Sequence, residues 1–115
     1  MKKFVYLWLF LWISTGAFAA VSCSDIQCNG PMDELASQVY IDSYGNVRLW
    51  VPSEADVLNC SLSEGRYAIL HHDHPAYDVI SSAIMMASAA NKKFKIRIVE
   101  GSNDCEISYV QYWNS

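Results

Sequence analysis

Hydrophobic and polar residues alternate in two short segments near the middle of the chain. Residues 39–43 and 47–51 both show this period of two, and the sequence Tyr-Gly-Asn at 44–46 lies between them. Alternation on both sides of a glycine-containing turn is typical of a β-hairpin. The pattern predicts two antiparallel strands joined by a three-residue loop, because a two-residue loop would mix apolar and polar side chains on each face.

The predicted register places Val39 opposite Val51 and thereby fixes which residues share a face of the hairpin. Asn46, the last residue of the predicted loop, takes the left-handed conformation that closes a three-residue turn. The aliphatic side chains then lie on one face of the hairpin. The opposite face carries two predicted cross-strand pairs, Tyr40 with Trp50 and Asp42 with Arg48.

One helix and three more strands are predicted after the hairpin. Apolar residues recur at helical spacing between Pro75 and Asn91, and proline suits the first position of a helix. Short apolar or alternating segments predict the strands, at 67–71, 94–98 and 105–113. The order β-β-β-α-β-β predicts a mainly β domain with one helix, an OB-fold-like five-stranded barrel. An open α+β sheet uses the same elements and is the alternative.

The N-terminal segment has the organisation of a signal peptide. Lys2 and Lys3 precede an apolar run that begins at Phe4, and Ala17-Phe18-Ala19 is a small-x-small cleavage site. The apolar run of about ten residues is shorter than the roughly 20 that a membrane-spanning helix needs. We therefore expect cleavage after Ala19 and no membrane span in the mature protein.

This interpretation divides the chain into three parts and assigns its compartment. Residues 1–19 are the predicted signal peptide, residues 20–34 an irregular N-terminal arm, and residues 35–115 the OB-like domain. The protein is expected to be periplasmic or secreted.

The four cysteines, Cys23, Cys28, Cys60 and Cys105, all follow the predicted cleavage site. An even number of cysteines in an exported chain indicates disulfide bonds, and their spacing lacks the paired ligands of a zinc site. Three pairings are possible. We favour Cys23 with Cys28, a local bridge, and Cys60 with Cys105, which ties the middle of the domain to its last strand.

Composition and charge exclude several classes of function. Of 115 residues, 52% are hydrophobic and 17% charged, which fits one small globular domain and not a disordered tail. Twelve acidic residues against eight basic ones give a net charge of -4. A negative chain destined for export is a poor match to nucleic acid, so no nucleic-acid partner is expected.

Several segments carry a resemblance to a known group of proteins. They are Trp50 and Cys60, His74-Pro75-Ala76-Tyr77 before an alanine-rich helix, the alternating residues 91–98, and residues 105–110. Together they resemble small exported bacterial proteins that are similar in layout to the cell-binding B-subunits of pentameric A-B toxins, of the subtilase-cytotoxin and pertussis-like type. The resemblance implies an OB-fold, carbohydrate binding and a homo-oligomer in the form of a ring.

The polar face of the predicted hairpin is the candidate ligand-binding site. It carries Tyr40, Asp42, Arg48 and Trp50. Aromatic rings bordered by hydrogen-bonding charges suit sugar rings, and they also suit protein interfaces. The leading hypothesis is an exported module that binds a glycan or cell-surface receptor. The alternative is a periplasmic inhibitor or accessory protein that binds a protein partner.

A histidine cluster is the strongest candidate for metal or catalytic chemistry. His71, His72 and His74 surround Asp73, and such side chains ligate zinc, copper or nickel. The favoured interpretation is a polar junction between a strand and the helix, with Asp73 or His74 as a helix cap. No metal, cofactor or catalytic residue is predicted, and we expect the protein to bind and not to catalyse.

Overall fold

The computed structural model describes residues 20–114, so the predicted signal peptide, residues 1–19, lies outside the described residues. The described chain forms seven strands, β1 Ser22–Cys23, β2 Gln27–Pro31, β3 Gln38–Ile41, β4 Val47–Trp50, β5 Tyr67–Leu70, β6 Lys93–Ile98 and β7 Ile107–Tyr112. It also forms a short helix α1 at Met32–Leu35, a 3-10 helix at Ser53–Val57 and a long helix α2 at Tyr77–Ala90. The prediction of a mainly β domain with one substantial helix is confirmed.

The strands form two antiparallel sheets. One has the order β1-β2-β6-β7 and the other the order β3-β4-β5. The sheets meet where Ile69 of β5 forms a parallel bridge to Glu106, and the Ile69 N–H donates to the carbonyl oxygen of Cys105 at 3.3 Å. Across residues 20–114 the ladders give two sheets and not one closed five-stranded barrel.

The hairpin β3–β4 differs from prediction in its register. Val39 pairs with Leu49 and Tyr40 with Arg48, a shift of two residues from the predicted partners. The loop is Ser43–Gly45, one residue earlier than predicted, because Gly45 takes the left-handed conformation, with φ of 90°. A shift by two residues keeps every side chain on its predicted face.

The side chain of Asp42 explains the position of this loop. Its Oδ1 accepts hydrogen bonds from the backbone N–H groups of Tyr44, at 2.9 Å, and Asn46, at 3.1 Å. The backbone N–H of Gly45 donates in turn to the Asp42 carbonyl oxygen at 3.0 Å. Glycine adopts a positive φ at little cost, and Asn46 is left to pair opposite Asp42.

The predicted irregular arm at 20–34 is wrong, because most of it is regular structure. β1 and β2 pair antiparallel with Cys23 opposite Cys28, and β2 pairs along its whole length with β6. The sequence Gln-Cys-Asn-Gly-Pro of β2 lacks the apolar alternation by which strands are recognised. Gly30 has a packing role, since a Cβ there would lie 3.0 Å from the Cα of Val21.

The core lies between the sheets and α2. On β6 the alternate residues Phe94, Ile96 and Ile98 are buried, as their period of two requires. On α2 the buried residues Ile80, Ile84 and Ala87 follow helical spacing.

The helix begins at Tyr77 and not at the predicted Pro75. The ring nitrogen Nδ1 of His74 accepts a hydrogen bond from the Ala76 N–H at 2.9 Å, and this closes a turn ahead of the first helical residue. The helix ends at Ala90, and the next residue, Asn91, is left-handed with φ of 48°.

Both predicted disulfides are confirmed. Cys23 bonds Cys28, with 4.1 Å between their Cα atoms, and Cys60 bonds Cys105, with 5.0 Å between theirs. Disulfides are typical of proteins that fold in oxidising compartments. From residue 20 to residue 114, no helix combines the length and hydrophobicity needed to cross a membrane. Export itself stays a prediction.

Candidate ligand-binding face

The structure brings the four predicted site residues together on one face of the sheet β3-β4-β5. The alternation in β4 turns Val47 and Leu49 into the core, where both are fully buried, and turns Arg48 and Trp50 outward. Residues opposite them on the neighbouring strands lie on the same face. We call this surface the Arg48 face, and its members are Tyr40, Asp42, Arg48, Trp50 and Tyr67.

Arg48 is held by polar groups from both sides of the face. Its Nη1 donates to the Asp42 carboxylate at 3.4 Å, and its Nη2 donates to Ser63 Oγ at 2.9 Å and to the Glu64 carboxylate at 3.2 Å. The side chain is 14% exposed. Arg48 therefore ties the β3–β4 hairpin to the turn before β5, and much of its donor capacity is used inside the protein.

The aromatic rings of the face meet at Tyr67. Its ring centroid lies 5.7 Å from that of Tyr40 and 5.7 Å from that of Trp50, in edge-to-face geometry at 83° and 71°. The guanidinium carbon of Arg48 lies 4.8 Å from the Tyr67 centroid, and that of Arg66 lies 4.7 Å from the Trp50 centroid. These are favourable arrangements for aromatic pairs and for cations over rings.

The sequence analysis missed Tyr67, a member of the Arg48 face, and Arg66, whose guanidinium lies over Trp50. A usable signal exists in the sequence, because Tyr67 is an aromatic residue at the start of a predicted strand. The sequence does not show that Tyr67 lies beside Trp50, however, because this depends on the pairing of β4 with β5, which is a tertiary contact.

The environment shifts the pKa values of two groups on the face. Partial burial opposes ionisation of Asp42, but hydrogen bonds from the N–H groups of Asn46 and Tyr44 and from Arg48 outweigh it and hold its pKa below the ordinary value. Burial, and then the adjacent Tyr67 hydroxyl, raise the pKa of Tyr40. At neutral pH the face therefore carries an Asp42 carboxylate beside an uncharged Tyr40.

The accessible part of the face consists of aromatic and charged side chains. Tyr40 is 38% exposed, Trp50 is half-buried, and Arg66 and Glu64 are exposed. Tyr67 is buried and contacts the rings of Tyr40 and Trp50. Such a surface offers C–H stacking by two pre-positioned rings and hydrogen bonds from ionised groups at its rim.

The histidines do not converge on a common point. His71 Nε2 lies 3.6 Å from the Asp104 carboxylate, whereas His74 Nε2 lies 2.8 Å from the carbonyl oxygen of Ser108. His72 is exposed, and its backbone N–H donates to Asn46 Oδ1 at 2.8 Å. Within residues 20–114, histidine, cysteine and carboxylate side chains form no group of three positioned to hold a metal ion.

The tautomer of neutral His74 follows from its two contacts. Nδ1 accepts from the Ala76 N–H, so the ring proton is on Nε2 and is donated to the Ser108 carbonyl. His74 therefore links the start of α2 to β7, a structural role at the strand-to-helix junction that resembles a cap.

A concavity of about 540 Å³ lies away from the Arg48 face, between α2 and β7. Val79, Ala83, Met86 and Tyr112 give it a mostly apolar lining. It contains none of the four predicted site residues.

A second polar face was not recognised in the sequence as a site. Lys93, Lys95 and Arg97 alternate with the buried residues of β6 and lie on the outer side of the four-stranded sheet. In the sequence this alternation indicates only a strand with one polar side. Gln27 and Asn29, which pair with Arg97 and Lys95, come from the segment that was predicted to be irregular.

Comparison with known proteins gives no relative: no family model, curated protein or solved structure matches the chain. The likeness to toxin B-subunits consequently rests on the sequence layout alone.

Proposed function

We propose that this protein is an exported binding domain that recognises a glycan on a cell-surface receptor through the Arg48 face. The observation that carries the proposal is the pair of partly exposed rings, Tyr40 and Trp50, fixed in edge contact with the buried Tyr67. Rings held in place lose little conformational freedom on binding, and they offer flat surfaces for the C–H faces of a sugar.

The strand connections support an OB-fold-like organisation as part of this proposal. The parallel bridge between Ile69 and Glu106 joins the two sheets on one side. On the other side β2, α1 and β3 follow one another with few intervening residues, so one stretch of chain runs from the first sheet into the second. We propose that these two connections correspond to the curvature of a small Greek-key barrel, the architecture of many saccharide-binding OB domains.

A glycan array tests the proposal directly. Protein purified from the periplasm is expected to bind a restricted set of glycans, and Trp50→Ala is expected to weaken that binding by about tenfold or more, as removal of a stacking ring usually costs a hot-spot contact. Tyr44→Ala is the matched control, since Tyr44 is 79% exposed and belongs to the hairpin loop outside the Arg48 face.

Binding that is absent on the array, or that is equally weakened by Trp50→Ala and Tyr44→Ala, contradicts the proposal. Circular dichroism of the Trp50→Ala protein excludes unfolding as the reason for a loss.

One observation favours the alternative, a periplasmic inhibitor or accessory protein. The Arg66 guanidinium lies over Trp50, and tryptophan, tyrosine and arginine are the residues that dominate protein interfaces. If a protein partner uses the face, cross-linking in envelope extracts yields one defined adduct that Trp50→Ala abolishes and Tyr44→Ala preserves.

A further inference from the structure

The outer face of the four-stranded sheet carries a row of cations, Lys93, Lys95 and Arg97, which we call the basic row. Two of the eight lysines and arginines precede residue 20, and three of the other six stand in this row. The protein as a whole has a net charge of -4. A concentrated positive strip on a negative protein is a local feature that average composition does not explain.

Within residues 20–114, no residue of the basic row forms an ion pair. The ion pairs formed among residues 20–114 involve Arg48 and His71, and none includes a residue of the row. The side chains are accessible, with Lys93 exposed and Lys95 and Arg97 half-buried. By contrast, Arg48 already contacts two carboxylates. The row therefore keeps its charge available for an external anion.

Cross-strand pairing surrounds the basic row with aromatic and amide side chains. Arg97 lies between Gln27 and Tyr109, and Lys95 lies between Asn29 and Gln111. The Trp113 N–H donates to the Lys93 carbonyl oxygen at 3.1 Å, which extends the same pattern by one step. The result is a sheet surface on which cations, amides and rings repeat in register.

The rings at the two ends of the row are oriented by the cations themselves. The Lys93 Nζ lies 4.6 Å from the Trp113 ring centroid, and the Arg97 Cζ lies 5.9 Å from that of Tyr109. Alternate residues of a strand are about 7 Å apart, so the row spans roughly 13 Å. That length suits two or three consecutive sugar units of an extended chain and exceeds the size of a single anion.

We infer that the basic row, with Gln27, Asn29, Tyr109, Gln111 and Trp113, is a binding site for an acidic polysaccharide, one bearing carboxylate or sulfate groups along its chain. Ammonium and guanidinium groups bind such anions by charge-assisted hydrogen bonds. The amides match sugar hydroxyls as donors and acceptors, and the rings match the C–H faces of pyranoses.

A polysaccharide fits this surface better than a nucleic acid does. Binding to a phosphate backbone depends on neutralising closely spaced charges, and the acidic remainder of this protein opposes a long, densely charged strand. A saccharide with separated acidic groups meets three cations and otherwise forms neutral hydrogen bonds. The site is independent of the proposed function at the Arg48 face, which lies on the other sheet.

The test measures binding of fluorescently labelled dextran sulfate of low sulfate content, and of labelled polygalacturonate, by anisotropy, with neutral dextran as the reference polymer. The chain is expressed with residues 1–19, the predicted signal peptide, and is purified from the periplasm. Both acidic polymers are expected to bind, and added salt is expected to weaken their binding. Lys95→Gln and Arg97→Gln are each expected to weaken binding by about tenfold, the cost of one charged hydrogen bond.

Lys92→Gln is the matched control, because it removes the same charge from the residue next to the row. The Lys92 Nζ donates to the carbonyl oxygen of Asn114 at 3.0 Å, and Lys92 does not belong to β6. Binding of the acidic polymers by the Lys92→Gln protein is expected to change less than twofold. Trp50→Ala is also expected to leave binding of the acidic polymers unchanged, which separates this site from the Arg48 face.

Three results would overturn the inference. Equal losses for Lys92→Gln and Lys95→Gln would show diffuse attraction by net charge, without a site. If neither acidic polymer binds at low salt, the basic row is not a polysaccharide site. The third result is competition by an oligo-thymidine strand. If it displaces the labelled dextran sulfate at a lower concentration than unlabelled dextran sulfate does, the surface binds nucleic acid.

Discussion

The guanidinium carbon of Arg48 lies 4.8 Å from the ring centroid of Tyr67, on the adjacent strand of the sheet β3-β4-β5. The same guanidinium donates to Asp42 before β4 and to Ser63 before β5. One side chain thus joins the β3–β4 hairpin to the turn before β5, and it also lies over the rings of Tyr40 and Tyr67.

Arg48→Lys is expected to lower the free energy of unfolding by about 1–2 kcal/mol, since lysine cannot reproduce the planar fork or its stacking on Tyr67. Urea denaturation followed by tryptophan fluorescence measures the change. Arg66→Lys is the control: Arg66 also stacks on a ring but is exposed, and less than about 0.5 kcal/mol is expected. Equal effects of the two substitutions would contradict the cross-linking role of Arg48.

Asp42 is expected to make stability depend on pH in the acid range. Its pKa in the folded protein is below the ordinary value of 3.8, so its contribution is complete above about pH 4 and is lost as pH falls through the lower, folded value. Asp42→Asn lacks this ionisation. The stability difference between wild type and variant, from denaturation at several pH values, is expected to be constant near neutrality and to shrink below pH 4. A gap that widens on acidification would refute the assignment.

The observed hairpin register gives different roles to Gly45, the last loop residue, and to Asn46, which pairs opposite Asp42. Gly45→Ala is expected to cost about 1–2 kcal/mol, because Gly45 has a positive φ. Asn46→Gly is also expected to destabilise, because the Asn46 side chain accepts the N–H of His72 at 2.8 Å. In the register predicted from sequence, Asn46 is the left-handed residue, and Asn46→Gly would be neutral or stabilising. Thermal unfolding of both variants distinguishes the two registers.

His74 is expected to stabilise the strand-to-helix junction, whereas His72 is not. His74→Gln loses the paired contacts to Ser108 and Ala76 and should cost about 1–2 kcal/mol, the usual value of two hydrogen bonds. His72→Gln keeps the backbone contact of residue 72 and alters only an exposed side chain. Amide exchange at Ala76 should accelerate in the His74→Gln protein alone. Unchanged exchange in that protein would remove the structural role.

The long disulfide is expected to contribute more to stability than the short one. Cys60 and Cys105 are separated by 45 positions and Cys23 and Cys28 by 5. By the chain-entropy relation, replacing the first pair with alanine costs about 4 kcal/mol and the second about 2 kcal/mol. Chemical denaturation of the two double variants gives the comparison. Cys28 and Cys105 are both fully buried, so an equal loss would contradict the ranking by loop length.

Local patterns were sufficient for elements whose side chains alternate strongly. Ile96 and its buried neighbours identified β6, and the spacing of Ile80 and Ile84 identified α2, with ends correct to within two residues. Tyr40, Asp42, Arg48 and Trp50 lie on one face as the alternation predicted. Their predicted cross-strand partners were wrong, but a register shift of two residues does not change faces.

Two features could not be derived from local pattern. β2 has the sequence of a loop and is a strand because β6 offers it a complete ladder and Gly30 admits Val21 at close range. The surroundings of the basic row depend on the same pairing, since Gln27 and Asn29 reach it only across the ladder. The residues close to β2 in the sequence do not identify β6 as its partner, and those close to the basic row do not identify Gln27 and Asn29 as its neighbours.

The sequence alone determined the apolar alternation and the helical stripe, because each depends on neighbours within one element. It favoured one of three possible cysteine pairings, and the structure shows that pairing. The Asp42 side chain set the hairpin register through hydrogen bonds within its own loop. Tertiary structure decided the strand at Gln27–Pro31 and the two composite faces. These depend on backbone hydrogen bonds between distant segments, and a strand's free N–H and C=O groups do not specify their partner until the chain has folded.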